Sequence, residues 1–396
     1  MLNMGRLLPV FCLFIYVIAV TLGAFTGGVW AMLGIGGAVL LFLGVWVADK
    51  KMPLPHKKFA FFVLTALWVL GAELSLSSNV GLSIKAWLHL ASIFLPLLLL
   101  MSPRVQAIAF SRSCLPAVAM AMSIGAIALG LELYTGVPFL YARKGSKAAL
   151  SEYNRGMAHM TLLAFPLVAG LWACGSKNMA VVLVLILLFP AGLTVSHTAR
   201  LALIVGMVCT AVAFYRPVLT QCGLAAAAFV FAGWPFYAQR LFSTYHELVA
   251  QLPDSWLHRI EIWDFLSYRI AERPIWGWGL GTTHTLDYTQ PHGELYRFAV
   301  QAAPHAHNFI VQLWVETGLP GLALGLAFLM LVLRRAGTLH PSLRPFALGG
   351  IAAAVTVCLF GFNFWTDALW AAMALSAFVF GMLQQNCERK DHLIDA

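Results

Sequence analysis

The sequence predicts an all-α polytopic membrane protein of about twelve transmembrane helices, interrupted once by a long, partly helical loop. Two observations lead there. Of the 396 residues, 61% are hydrophobic and 10% charged, whereas a soluble domain carries about 25% charged residues. A surface so poor in charge needs membrane lipids to cover it. In addition, apolar runs of about twenty residues, the length that crosses a bilayer core as a helix, recur from end to end. The runs are continuous, which argues against a β-barrel, whose strands alternate with period two.

The first run, 7–24, has the length of a signal peptide. No small-residue cleavage site followed by a polar stretch appears, so it reads as a retained helix. Spans follow over 28–48, 59–76, 84–101, 116–134, 157–174, 178–195, 200–215 and 221–236, and three more over 318–333, 345–362 and 366–383. The chain thus divides into nine helices in 1–236, a loop over 237–306, and three helices in 307–396.

The net charge of +9 would suggest nucleic acid in a soluble protein; here it is topological, and no nucleic acid partner is expected. Lys50, Lys51, Lys57, Lys58, Arg104, Arg112, Lys177, Arg216, Arg334, Arg335, Arg344, Arg389 and Lys390 all fall on one side if both termini are cytoplasmic. Two opposite-side segments break the pattern. Tyr134 to Arg155 carries Arg143, Lys144, Lys147 and Arg155, and Phe236 to Ala306 carries Arg240, Arg259, Arg269, Arg273 and Arg297. Either long loops cross regardless of charge, or these cations form an anion-binding surface.

Within the long loop, Trp256 to Glu272 reads as an amphipathic helix. Ile260, Trp263, Leu266 and Ile270 recur at helical spacing, and Arg259, Glu261, Asp264 and Arg269 supply polar positions. Such a helix can lie in the membrane interface, aromatic residues down and charges up. Pro274 ends it, and Gly277-Trp278-Gly279-Leu280-Gly281 forms a tight turn.

The densest polar cluster away from the basic loops is Pro304-His305-Ala306-His307-Asn308. Imidazoles two residues apart do not share a helix face, so one is expected to point inward while the other caps or meets solvent. Histidine is the usual general base near neutral pH; the alternative is a pair that hydrogen-bonds headgroups. Arg200, in Ser196-His197-Thr198-Ala199-Arg200, either snorkels at the membrane edge or serves a site. Glu73, Glu132 and Asp367 gather at the same edge. Ionisable groups beside spans are costly and mark function, so a cavity open to that side is expected.

Several chemistries lack their signatures. There is no Walker A loop, GxGxxG after a strand, HExxH or GxSxG. The seven cysteines form no CxxC, so neither zinc nor a redox pair is indicated. No DxD pair occurs, which disfavours a Mg²⁺-dependent nucleotide-sugar mechanism, since a hard cation wants carboxylate oxygens. Arginines can neutralise a diphosphate directly, so no metal and no cofactor is expected.

Arg259 with Trp263, then Pro274-Ile275-Trp276-Gly277-Trp278-Gly279, His305-Ala306-His307-Asn308, Leu313, Glu316-Thr317-Gly318-Leu319 and Gly321-Leu322, together resemble the O-antigen ligase and O-antigen polymerase superfamily over roughly 190–335. The resemblance implies a GT-C-like plan and a metal-independent glycosyltransferase at the periplasmic face of a Gram-negative inner membrane. Its donor would be an undecaprenyl-diphosphate-linked glycan and its acceptor the lipid A–core oligosaccharide. Arg200 and Arg259 match the family's arginines and would stabilise the departing diphosphate. His307, or His305, matches the histidine of the HN motif and would deprotonate the attacking hydroxyl; which of the two does so stays open. Arg143, Lys147, Arg155, Trp263 and Asn308 are candidate substrate contacts, with Trp263 stacked on Arg259. Three other activities remain compatible. They are an O-antigen polymerase, a protein O-oligosaccharyltransferase of the same superfamily and, from another class, a lipid or solute transporter, which would show broken helices and a midplane site.

Overall fold

The structure is a computed structural model that describes residues 15, 17–18, 21–107, 114–145, 150–194, 197–287, 293–298 and 305–394. Among them every regular element is helical. A rod of α1 (Gly27–Ala31) and α2 (Gly37–Asp49), joined by a π-turn, leads into α3 (Lys57–Ala72), α4 (Val80–Leu99), the short α5 (Pro103–Gln106) and α6 (Cys114–Tyr134). Next come α7 (Pro138–Lys144), α8 (Ser151–Ala173), α9 (Lys177–Leu193), α10 (His197–Tyr215), α11 (Pro217–Ala232) and α12 (Trp234–Val249). The last four are α13 (Asp254–Glu272), α14 (Phe309–Gly337), α15 (Arg344–Phe360) and α16 (Asp367–Ile394).

Eight of the described helices are long and apolar enough to cross a membrane, and α11 with α12 makes a ninth, bent by 61°. Helices α9 and α15 are shorter and apolar. Most of the expected span over 7–24 lies outside the described residues. The chain is therefore a polytopic helical membrane protein, and about twelve spans stands as the expectation from sequence.

Helix α8 is the axis of the bundle. Residues 156–171 are all buried, as a helix must be when it is apolar on every side. It packs against α6, α9, α10, α15 and α16. Near its start, Glu132 holds α7 to the bundle, accepting from the Leu140 amide at 2.9 Å and the Tyr153 hydroxyl at 3.0 Å. Helices α10 and α15 pack most closely, and the Thr198 hydroxyl at one end donates to the Phe360 carbonyl at 2.9 Å.

Short connections make consecutive spans antiparallel, so the basic loops share one end of the bundle. There Arg104 donates to the Met52 carbonyl at 3.4 Å and Gln385 to the Pro103 carbonyl at 3.1 Å. The opposite end carries α7, α12 and α13.

Two expectations change here. Helical structure starts ahead of the expected tenth span, at Phe309, because Asn308 caps it, its Oδ1 accepting from the Ile310 amide at 2.9 Å and the Val311 amide at 3.2 Å, and it breaks at Gly318, where the span was expected to begin. Helix α13 forms where expected but does not lie in an interface with its polar face outward. Glu261, Asp264, Ser267 and Arg269 are buried along with its apolar face. It is clamped between α12 and α14, and the chain beyond it supplies donors to its acids. Glu261 accepts from the Arg297 amide at 2.8 Å and the Phe298 amide at 3.1 Å, and Asp264 from the Tyr296 hydroxyl at 2.7 Å. Buried carboxylates without such donors would be strongly destabilising.

Candidate active site

The segment after α13 is shaped by glycine. Trp278 and Gly279 donate to the Val315 and Glu316 carbonyls at 2.8 Å each, and Leu319 donates to the Ile275 carbonyl at 3.0 Å. This pairing presses the turn onto α14 where Gly318, at φ 61° and ψ −160°, breaks the helix. Gly277 faces it at φ 65°, and a Cβ there would meet the Gly318 nitrogen at 2.6 Å. Only glycine fits such backbone angles and such proximity. Glu316 secures the joint from within. It accepts from the Gly281 amide at 2.8 Å, the Thr283 hydroxyl at 2.5 Å and the Trp365 indole at 2.6 Å. The fixed start of α14 positions His305 and His307 immediately before it.

A cavity of about 520 Å³ opens at this end of the bundle. The first turns of α8 and α10, the end of α15, the start of α16, the His305–His307 segment and α13 converge on it. Its charged and titratable walls are Arg155, His197, Arg259, His305 and His307, with Trp256, Asn363 and Thr366 between them. Among the described residues no Asp or Glu lines it. The N-terminal ends of α8, α10 and α16 add the positive ends of their dipoles. The cavity is thus an anion site by charge, and it offers none of the carboxylate oxygens a hard cation needs.

His307 has an unusual backbone, with φ 53°. A non-glycine residue held there costs of order 1–3 kcal/mol and persists where its surroundings impose it. The consequence is that both imidazoles face the cavity, ring centroids 4.1 Å apart. The expectation that one ring turns away fails because the pair precedes the helix instead of lying on it, and Asn308 does the capping. His307 Nδ1 lies 3.0 Å from the Gly361 carbonyl. A carbonyl only accepts, so Nδ1 carries the hydrogen and Nε2 keeps its lone pair. Burial first, then Arg259 and His258, push the His307 imidazole down to about 4, against the opposing effect of the bond to Gly361. Burial, with His307, Arg155 and Arg259 nearby, pushes His305 down to about 3. Both rings are neutral at physiological pH.

Arg259 donates to the Ser255 carbonyl through Nη1. Its Nε is buried without a partner among the described residues, and burial lowers its pKa. Arg155, exposed in the cavity lining, makes no ion pair among the described residues. Trp263 does not stack on Arg259. Its indole donates to the Ala306 carbonyl at 2.8 Å while the ring meets Trp234 edge-on at 5.4 Å. It holds the residue between the two histidines and is buried behind the cavity wall.

Other expected residues sit elsewhere. Arg200 donates to the carbonyls of Ala191 at 3.1 Å, Gly192 at 2.7 Å and Thr194 at 3.4 Å. It closes the C-terminal end of α9 and does not line the cavity, although its neighbours Thr198, Ala199 and Leu201 do. Arg143 and Lys144 pair with Glu152 at 2.7 Å each, outside the cavity wall. Lys147 lies outside the described residues. Asn308 is fully buried in its capping role. The acids Glu73, Glu132 and Asp367 are not part of the lining.

Sequence reasoning missed His197, Trp256 and Asn363. His197 stands in the same polar stretch as Arg200, and nothing in its local sequence sets it apart there. Asn363 belongs to Gly361–Thr366, which resembles a plain charge-free loop until α15 and α16 fold it against α14.

Fold and cavity define a class: a polytopic helical membrane protein with a basic, histidine-bearing cavity at the end opposite its basic loops. Residues 179–326 match the family described as O-Antigen ligase. The chain is 26% identical over 229 residues to the "Putative polysaccharide ligase" of Rickettsia conorii; the alignment covers 54% of this chain and 53% of that protein. The match thus spans about half the length of the relative. Both findings are similarities to ligases of the O-antigen and polysaccharide kind, each over part of the chain. The matched region holds Arg259, His305 and His307 but neither Arg155 nor Asn363.

Proposed function

We propose that this protein is an O-antigen ligase. It would move a glycan from undecaprenyl diphosphate onto a hydroxyl of the lipid A–core oligosaccharide, at the periplasmic face of a Gram-negative inner membrane with both termini cytoplasmic. One observation carries the reading. A cavity with no carboxylate among its described lining residues presents the guanidiniums of Arg155 and Arg259 together with a neutral imidazole whose lone pair sits on Nε2. The acceptor oxygen attacks the anomeric carbon and gives its proton to His307 Nε2. The anomeric C–O bond breaks, and its electron pair departs on the lipid diphosphate, whose charge the arginines stabilise. Direct displacement inverts the anomeric centre. Proton removal by a placed base is worth about 10²–10⁴-fold. His305 flanks His307, and Arg200 positions the start of α10. The finer identity of donor and acceptor comes from the family resemblance, and the cavity's charge supports the diphosphate.

Purified protein in lipid discs, given a polyprenyl-diphosphate glycan with either lipid A–core or a second lipid-linked glycan, tests the proposal. Transfer to lipid A–core is the expected result. Elongation of the lipid-linked glycan alone would make the protein a polymerase. No transfer to any lipid, glycan or protein acceptor would overturn the proposal.

A further inference from the structure

The loop joining α15 to α16 contains a side chain whose orientation the fold dictates completely. The Trp365 backbone amide donates to Asn363 Oδ1 at 3.0 Å, and the Phe364 backbone amide donates to Gln312 Oε1 at 3.1 Å. A backbone N–H can only donate, so each contact identifies the oxygen of its amide and removes the usual ambiguity between O and N. Gln312 Nε2 then donates to Asn363 Oδ1 at 2.8 Å, with a longer contact to Glu316 at 3.4 Å. Gln312 is buried, and both its ends are engaged. Asn363 Oδ1 therefore takes two donors, and Nδ2 is left as the free end of a residue that lines the cavity. Nδ2 has no partner among the described residues. Two residues earlier in the same loop, Gly361 orients His307.

We infer that Asn363 is a substrate-positioning residue, with its Nδ2 group a preorganised donor to an oxygen of the bound lipid-linked glycan. The inference rests on the proposed function and adds to it a recognition element on the wall that carries Gly361. Because Gln312 holds the amide in advance, little side-chain freedom is lost on binding. The oxygen belongs either to a sugar or to the diphosphate. Both accept a hydrogen bond, but only the sugar hydroxyl also donates one.

The test uses full-length protein in lipid discs with a purified polyprenyl-diphosphate glycan. A neutral hydrogen bond contributes about 0.5–1.5 kcal/mol net and one to a charged oxygen more, so Asn363→Ala is expected to raise the donor KM by roughly 2- to 12-fold for a sugar oxygen and by more for a phosphate oxygen. The acceptor KM is expected to stay put, while the thermal midpoint falls because the Trp365 amide and Gln312 Nε2 lose their acceptor, so KM is read on protein shown to be folded. Sugar-free polyprenyl diphosphate, used as a competitive inhibitor, locates the oxygen. A weaker Ki in Asn363→Ala, with Asn363→Asp worse still, assigns a phosphate oxygen. An unchanged Ki, with Asn363→Asp partly rescuing the donor KM, assigns a sugar hydroxyl. Gln312→Met frees the amide and is expected to raise the donor KM in the wild-type background but not in Asn363→Ala. A role confined to stability would not produce that dependence. If wild-type protein transfers no glycan, the proposed function falls and this inference with it. If it transfers normally and Asn363→Ala leaves the donor KM unchanged, only the role of Asn363 is overturned.

Discussion

Protonation of the base offers a direct test of the cavity's chemistry. A base is lost when it protonates, so the pH at which kcat/KM falls reports its pKa in the free enzyme. An ordinary histidine near 6.5 would place that limb in the physiological range. His307 is held near 4, first by burial and then by Arg259. At pH 5.5 a base of pKa 4 is about 97% neutral and one of pKa 6.5 about 9% neutral, a difference of about tenfold in active enzyme. We expect kcat/KM to be flat from pH 8 to about 5.5 and to fall with one proton below pH 5. Bound diphosphate is an anion and favours the imidazolium, so the limb of kcat is expected above that of kcat/KM. Folding is linked with the same sign. The unfolded chain binds the proton near 6.5 and the fold resists it, so the stability contribution is complete above about 6.5 and declines as pH falls towards 4. Thermal unfolding measured alongside separates loss of fold from loss of base. A kcat/KM limb at pH 6–7 in protein that remains folded would refute the buried, arginine-flanked base.

Three further outcomes are expected. Arg259→Ala should abolish transfer with the protein still in the membrane, whereas Arg143→Ala, which removes a cation already paired with Glu152, should leave the rate within about twofold, as an exposed ion pair contributes little; comparable losses from both would contradict the cavity boundary. Trp263→Phe leaves the buried Ala306 carbonyl without its donor, at a cost of about 1–3 kcal/mol, and a displaced histidine pair should lower kcat by about 100-fold at unchanged donor KM; a stability loss with normal kcat would reduce Trp263 to packing. Gly318→Ala would place a Cβ on the Ile275 carbonyl at φ 61°, where the backbone alone costs about 1–3 kcal/mol; wild-type yield and melting temperature would show that the break in α14 is dispensable.

The spans and their alternation are written in the sequence because lipid imposes them. About twenty apolar residues make a spanning helix wherever they occur, and clustered lysine and arginine sort the loops by side. Arg259 and His307 stood out by residue type and neighbours, and the fold brings both to the lining of one cavity. Folding decided which groups share the cavity. Arg155 and His307 are 152 residues apart in the chain and meet because α8 runs at the centre of the bundle with α14 beginning at the same end. Arg200 looked equivalent to Arg259, yet one guanidinium is used by the carbonyls ending α9 and the other keeps a buried Nε without a partner among the described residues. Local sequence sets the charge and the reach of a side chain, but its hydrogen-bond partners come from distant elements. For Arg200, Trp263, Asn308 and Asn363, those partners separate the residues that hold the site together from the ones that face its ligand.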